Sequence, residues 1–269
     1  MSVWGVPTGF RTIEEAVKSG HRFDVISICS PTTCHEHDLE IAVGLKPKLI
    51  FCEKPLTTSL MGTERLVEEC GKGNVLLAVN YSRRFDPDVW KLKVDMQRGH
   101  WGRTRSISGC YNKGILNNGS HMLDLVSLLV GPLKLVAVGK PIYDFFPDDP
   151  AIPVWLEGAD AVPIQIVCGH AEDYAIFELQ LLFSQGALTM EEGGLFWRER
   201  RVVDSAVFKG YRVLDDGMRR PGQYSKSMLR AVANIHEAIT EGKPLASTGE
   251  SALMAQRLCE QISHRAGIR

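Results

Sequence analysis

Apolar and polar positions divide the first third of the chain into strand-like runs separated by helix-like segments. The runs DVISICSP, KLIFCEKP and NVLLAVNYS are apolar and of strand length, and the first two end at a proline. Helical patterns precede and separate them, beginning after Thr12, where Glu15 completes a capping-box pattern. Strands that alternate with helices over short connections predict a parallel sheet of βαβ units, with the DVISICSP strand buried on both faces.

The pattern changes after about residue 84. Apolar residues at helical spacing predict a helix in DPDVWKLKVDMQRG, another that begins near NNGSHMLDLVSLLVG, and two more at the C-terminal end. From residue 133 to about 208 the runs are strand-like, with a hairpin turn at Ser184-Gln185-Gly186. The predicted fold class is therefore α/β plus α+β. A partial Rossmann-like parallel sheet occupies residues 1–84, joined by helix 249–266, and residues 85–248 form an α+β domain with a large, mainly antiparallel sheet.

One predicted strand of the second domain has a strongly apolar face, made of Phe177, Leu179, Leu181 and Phe183. An open sheet with such a face needs to be covered by a helix layer or by a second subunit. We therefore expect a homo-oligomer, a homodimer in the simplest case, that is joined through this sheet.

Composition narrows the class of protein. Apolar residues make up 44% and charged residues 23% of the chain, and the net charge is −1, so we expect neither nucleic acid nor a membrane as a partner. No apolar run approaches the roughly 18 residues that span a bilayer, and no signal-peptide pattern is found. Seven scattered cysteines, an odd number, favour reduced thiols and a cytoplasmic location. The adjacent Cys34-His35-Glu36-His37 could rarely all face one ion, so we expect no metal site.

Polar residues follow each of the three predicted parallel strands. They are Ser30-Pro31, Glu53-Lys54-Pro55 and the segment from Asn80 to Arg84. The carboxyl ends of parallel strands form one rim, where ligands bind in such sheets. Lys54 could donate a proton to a substrate oxygen there, and Pro55 restricts the backbone that carries it. The alternative is a solvated lysine at the start of a loop.

His121 is the second candidate for proton transfer. We expect Asn117, Asn118 or Ser120 to cap its helix, which places His121 in the first turn. The positive end of the helix dipole should then lower the pKa of His121, and Asp124 lies on the same side of the helix. The alternative is a histidine at the boundary of the core. Likewise, Arg83 and Arg84 could hold hydroxyl or anionic groups, or could be a surface pair.

In combination these segments resemble the Gfo/Idh/MocA family, named after glucose-fructose oxidoreductase and inositol dehydrogenase. FCEKPLTTS, VNYSRRFDPDVWKLKVDMQRGHWG and NNGSHMLDL occur in the family's order, with the E-K-P element followed by a G-x-H-x-x-D helix. The resemblance implies a dehydrogenase or reductase that uses NAD or NADP on a hydroxyl carbon of a sugar, inositol or related compound. It implies Lys54 and His121 as catalytic residues. By position, the substrate-binding candidates are Asn117, Asp124, Arg84 and Tyr81, and the cofactor-binding candidates are Ser30, Pro31, His35, Glu53 and Lys54.

Two departures from the family pattern affect these expectations. Asn117 stands where the family typically has an aspartate, and an amide can orient a hydroxyl but cannot carry the negative charge. The G-x-G-x-x-G segment that usually opens the family's fold is not found, so the chain resembles a truncated member, and we expect weak dinucleotide binding. The alternatives are a sugar-binding or partner subunit and a non-redox proton-transfer enzyme, such as a lyase or epimerase.

Overall fold

The computed structural model describes residues 5–6 and 8–268, which form two compact units. The first comprises the chain up to Asn80 together with Asn234–Leu253, and the second comprises Tyr81–Ala233 and the residues from Met254 onwards. The helices are α1 Ile13–Lys18, α2 Thr32–Gly44, α3 Leu60–Lys72, α4 Pro87–Gln97, α5 Ser120–Val130, α6 Ser227–Glu241 and α7 Gly249–Arg265. The strands are β1 Val25–Ile28, β2 Leu49–Cys52, β3 Leu76–Val79, β4 Thr104–Tyr111, β5 Lys134–Val138, β6 Ile142–Phe146, β7 Asp149–Ala151, β8 Val154–Glu157, β9 Pro163–Cys168, β10 Phe177–Phe183, β11 Gly186–Glu191, β12 Phe196–Asp204, β13 Arg212–Leu214 and β14 Met218–Pro221.

The first unit contains the predicted parallel sheet, in the order β1-β2-β3. Every residue of the central strand β2 is buried, because it pairs on both sides and α2 packs on it. The prediction that β1 is buried on both faces is wrong. Val25 and Ser27 are exposed, because in the described part of the chain β1 pairs with β2 alone and is an edge strand. Thr12 caps α1, as predicted, by accepting a hydrogen bond from the Glu15 amide.

The second unit is built on a nine-stranded sheet, whose main path runs β13-β12-β11-β10-β4-β9-β8-β5, while β14 pairs with β12. All its pairs are antiparallel except β4 with β9. The fold-class prediction is thereby confirmed. The predicted hairpin joins β10 to β11, where Phe183 is paired with Gly186 across a two-residue loop.

The apolar face of β10 is buried by the chain's own helices. Leu179 and Leu181 lie in one core cluster with Val89 of α4 and with Met122 and Val126 of α5. A helix layer thus covers this face, and the face supplies no reason for a second subunit. The homo-oligomer stays a prediction.

The C-terminal helix α7 contributes to both units, because the division falls between Leu253 and Met254. Its Leu258 and Ile262 lie in the core of the second unit, and the sequence pattern predicts that this helix joins the first domain. Within the residues that the structure describes, no helix has the length and apolarity needed to cross a membrane.

Candidate active site

In the first unit, the carboxyl ends of the three parallel strands meet at one rim, as expected. Beyond β2, the Glu53 carboxylate accepts a hydrogen bond of 2.7 Å from the side-chain amide of Asn80, which follows β3. The Glu53 amide donates to the Ile28 carbonyl of β1 at 2.9 Å. Lys54 is half-buried beside these contacts, and its peptide bond to Pro55 is cis. Lys54 therefore projects from a backbone that is held to both neighbouring strands.

His35 links two loops of this rim. Its ring is buried, and its two nitrogens lie 2.8 Å from the carbonyl oxygens of Ser30 and Pro55. The loop after β1 is thus fastened to the loop that carries Lys54. This geometry gives His35 a positioning contact, and its direct contact with a cofactor stays a prediction. The Ser30 hydroxyl donates to Asp38 at 2.6 Å.

A cavity of about 630 Å³ lies at the end of β1 in the same unit. It is lined by residues that include Arg11, Ile28, Cys29, Ser30, Cys34 and Asp38. Helix α2 begins here at Thr32, and its N-cap residue Pro31 supplies no side-chain hydrogen bond to the helix start. The amide groups of a helix start without a side-chain cap can face an anionic group.

In the second unit, the helix that carries His121 begins earlier than predicted. A π-helical segment, Gly114–Gly119, runs directly into α5. The carboxylate of Asp149, in β7, accepts hydrogen bonds from the amides of Leu116 at 2.9 Å and Asn117 at 2.8 Å. Asp149 therefore caps this helix start from a distant strand.

The expected caps of α5 are wrong, because its N-cap position is Gly119, which makes no side-chain capping bond. His121 consequently lies beyond the first turn of the continuous helical segment. A helix dipole acts mainly on the first and last turns, so His121 does not lie at the positive end of the dipole as expected.

His121 and Asn117 are half-buried and lie four residues apart on this helical segment. The Asn117 amide group donates to the Lys113 carbonyl at 2.9 Å, which orients its side chain along the helix. The His121 ring meets the buried Tyr81 ring edge to face, with centroids 5.3 Å apart. These contacts bring together three of the predicted site residues, namely Tyr81, Asn117 and His121.

Arg84 and Asp124 form a buried ion pair, and Asp124 lies three residues after His121. The Arg84 Nε atom lies 2.8 Å from both oxygens of Asp124, whose side chain is 2% exposed. Burial raises the pKa of Asp124 to about 6, and the Arg84 guanidinium opposes this shift. Burial also raises the pKa of Tyr81, which shares a hydrogen bond with Ser120. These buried groups stabilise the helix that carries His121. Their direct contact with a substrate stays a prediction.

Arg83 is also buried, so the surface-pair alternative is wrong for both arginines. Its guanidinium lies 3.5 Å from the centre of the Phe177 ring. Burial lowers the pKa of Arg83 to about 10.

The adjacent residues Cys34 to His37, which could each bind a metal, lie in different environments. His35 is buried, Cys34 is exposed, and His37 lies 2.9 Å from Glu14. Among the described residues, no group of three or more histidine, cysteine or acidic side chains is placed to hold a metal ion.

Sequence reasoning missed two residues of the second unit. Asp149 lies 32 positions from the amide of Asn117, so no local pattern marks it as a cap. Lys113 immediately precedes the helical segment in a left-handed backbone conformation, with φ 67° and ψ 48°. Its neighbour Gly114 is the available signal, because a glycine lowers the expectation of a helix interior and often marks a turn.

Comparison with known proteins supports the expected family resemblance. Residues 2–81 match the model described as the oxidoreductase family with an NAD-binding Rossmann fold, GFO_IDH_MocA. In this segment the chain resembles the Gfo/Idh/MocA family. It is 25% identical to the myo-inositol 2-dehydrogenase of Thermotoga maritima over 283 positions, which cover 90% of this chain and 79% of that protein. The expected resemblance is thereby confirmed.

Solved structures show the same fold. An NAD binding oxidoreductase from Klebsiella pneumoniae superposes with a TM-score of 0.77 at 15% identity, covering 96% of this chain and 82% of that one. An oxidoreductase from Agrobacterium radiobacter, solved in complex with NAD+, L-tartaric acid and magnesium, gives a TM-score of 0.73 at 15% identity, with 94% and 80% coverage. At such identities the likeness concerns the fold and does not extend to the ligands.

Proposed function

We propose that this chain is a Gfo/Idh/MocA member that uses NAD or NADP to oxidise or reduce a hydroxyl-bearing carbon of a sugar or related polyol. Its family resemblance carries the proposal. The relative from Thermotoga maritima, named as a myo-inositol dehydrogenase, supports a small carbohydrate-like substrate.

His121 exchanges the proton of the reacting hydroxyl in this proposal. The His121 ring is half-buried and packs against the Tyr81 ring, which holds one side of the imidazole in place. A ring nitrogen can then contact a bound hydroxyl. Asn117, one turn earlier, orients a substrate hydroxyl through its amide. The buried pair of Arg84 and Asp124 holds the helix that carries both side chains.

Lys54 is the second proposed catalytic residue. Its ammonium group donates a hydrogen bond to a substrate oxygen and stabilises negative charge on it. The contacts of Glu53 with Asn80 and of His35 with Pro55 restrict the loop on either side of Lys54. Such restriction favours catalysis, because a side chain that is already oriented loses little freedom when the substrate binds.

The residues at the end of β1 fit part of a dinucleotide. The cavity of about 630 Å³ is within the usual range for small-molecule sites, and the start of α2 offers amide groups to a phosphate. Ser30, Pro31, Glu53 and Lys54 would hold the cofactor at this rim. Bound NAD or NADP supplies the hydride acceptor or donor.

The test has two steps on the purified chain. Fluorescence titration with NADH and NADPH measures cofactor binding, and nicotinamide absorbance then follows oxidation of myo-inositol and D-glucose. His121→Asn and Lys54→Met should each lower kcat at least about a hundredfold, as loss of an acid–base group does. Lys72→Met, which removes an exposed lysine paired with Glu68, is the control and should leave kcat unchanged. Full activity in either active-site variant would refute the assigned roles.

The other candidate functions predict different outcomes of the same assays. A sugar-binding or partner subunit would bind the sugar without changing the nicotinamide absorbance. A lyase or epimerase would convert the sugar without net formation of NADH.

The expected homodimer would appear in light scattering as twice the mass of the 29.9 kDa chain, and a monomer at tens of micromolar would contradict it.

A further inference from the structure

We propose that Lys113 binds a negatively charged substituent of the carbohydrate, so that the preferred substrate is a sugar acid or a sugar phosphate. The inference rests on the proposed function, because it assigns the substrate class of the same site. Two observations on Lys113 support the inference. Its backbone is held by hydrogen bonds, and its ammonium group faces an aromatic ring.

The backbone of Lys113 is held from both sides. Its amide donates to the Asp144 carboxylate at 3.0 Å, and its carbonyl accepts the bond from Asn117 at 2.9 Å. Its φ of 67° lies in the left-handed region, which glycine and asparagine adopt at lower energy than lysine does. The local geometry therefore does not by itself favour lysine, and a role of the side chain would account for it.

The ammonium group of Lys113 is available to a ligand. The side chain is half-buried, and its Nζ atom lies 5.2 Å from the centre of the Phe145 ring. Within the described residues, no carboxylate oxygen lies within 4.0 Å of this Nζ atom. A partly desolvated ammonium group next to an aromatic face gains most from an anionic partner.

Two acidic side chains that contact the backbone of this segment, Asp144 and Asp149, accept hydrogen bonds from backbone amides. One oxygen of Asp144 accepts from Lys113 and from Ala171, and the two oxygens of Asp149 accept from Leu116 and Asn117. These amides, two of which belong to a helix start, partly compensate the two negative charges. An anion beside Lys113 therefore meets less repulsion than the number of carboxylates suggests.

The position of Lys113 matches the far end of a sugar bound at His121. Asn117 and His121, four residues apart, lie on one side of the helical segment, and Lys113 immediately precedes that segment. Eight residues of helix rise by at most about 12 Å, and the lysine side chain can extend back over part of that distance. A carboxylate or phosphate on the sugar carbon most distant from the reacting one would thus come within reach of the ammonium group.

The test compares the affinities of neutral and charged sugars for the full chain by calorimetric titration. The probes are D-glucose, D-glucuronate and D-glucose 6-phosphate, with Lys113→Gln as the variant and Lys209→Gln, an exposed lysine of the same unit, as the control. Wild type should bind at least one charged sugar about tenfold or more tightly than glucose. Lys113→Gln should weaken that binding by about ten- to a hundredfold, the range for a charge-assisted hydrogen bond, and leave glucose unchanged. Preference for glucuronate identifies a carboxylate, and preference for glucose 6-phosphate identifies a phosphate.

The outcomes separate this inference from the proposed function. Equal affinity of wild type for all three sugars, equal weakening in Lys113→Gln, or binding of none of them would overturn the role of Lys113. A charged-sugar preference that depends on Lys113 without any NAD(P)H formation would sustain the inference and refute the redox function. Lys113→Asn, which suits the left-handed conformation, should reproduce the effect and so exclude a folding defect.

Discussion

Removal of the Asp149 carboxylate should loosen the start of the helix that carries Asn117 and His121. Its two oxygens accept hydrogen bonds from the amides of Leu116 and Asn117, at 2.9 and 2.8 Å. Asp149→Ala leaves both amides without this acceptor, and Asp149→Asn keeps one acceptor oxygen but removes the charge. The pair of variants therefore separates the hydrogen bonds from the charge effect.

The expected magnitude follows from the two contributions. Replacement of a helix-capping side chain by alanine costs about 0.5–2 kcal/mol, and a charge at a helix N-terminus contributes about 0.3–1 kcal/mol. We expect Asp149→Ala to lower the local opening free energy by about 1–3 kcal/mol, and Asp149→Asn by about half as much. Because about 1.4 kcal/mol corresponds to a factor of ten, the alanine variant should speed hydrogen exchange at the two amides by about five- to two-hundredfold.

Hydrogen exchange is the appropriate assay, since a chain with two compact units need not unfold in one step. The matched control is Asp148→Ala, which removes an exposed carboxylate from the adjacent position. The control should leave the exchange of Leu116 and Asn117 unchanged. If the Asp148 and Asp149 variants exchanged at the same rate, the capping role of Asp149 would be refuted.

Three further substitutions have defined outcomes. Gly114→Ala should lower the free energy of unfolding by about 3 kcal/mol or more, because φ is 85° and a Cβ atom would lie 2.2 Å from a carboxylate oxygen of Asp149. An unchanged Tm would contradict this prediction. Asp124→Ala should lower the free energy of unfolding, measured in urea, by about 3–5 kcal/mol, because Arg84 would stay buried without this carboxylate. A loss below about 1 kcal/mol would show that the ion pair is dispensable for stability. Burial raises the pKa of Asp86 to about 6, partly opposed by the charge of Arg83. The folded state then binds the proton more tightly than the unfolded state, whose pKa is about 3.9, so this group makes stability rise as the pH falls from about 7 to 5. Asp86→Asn should reduce that rise in urea midpoints, and an equal rise in both proteins would exclude the effect.

Much of the fold could be predicted because the deciding contacts are local. The apolar run Leu49–Cys52 is a fully buried strand, and the alternation along β10 correctly assigns its inner face. The two-residue hairpin loop follows from strands that end on either side of Ser184-Gln185. In each case the period of the side chains determines the element, whatever lies on the other side of the core.

The candidate site was predictable in part. The order of strands and helices is sufficient to place Glu53 and Asn80 at one rim and to place Asn117 and His121 on one helix. It does not reveal that both nitrogens of His35 face carbonyl groups, because these partners lie 5 and 20 positions away. Contacts between distant residues depend on how the loops close, and loop closure leaves no periodic pattern in the sequence.

The sequence by itself determined most of the strands and helices, the family resemblance and the residue types that could transfer a proton. Tertiary structure alone decided where the helix of His121 begins, since Asp149 reaches its first amides from another strand. It also decided that helices cover β10 and that Arg84 and Asp124 are buried together. The physical reason is the range of the interactions: periodicity and turn chemistry act within a few residues, whereas caps, ion pairs and core layers form only after distant segments have packed.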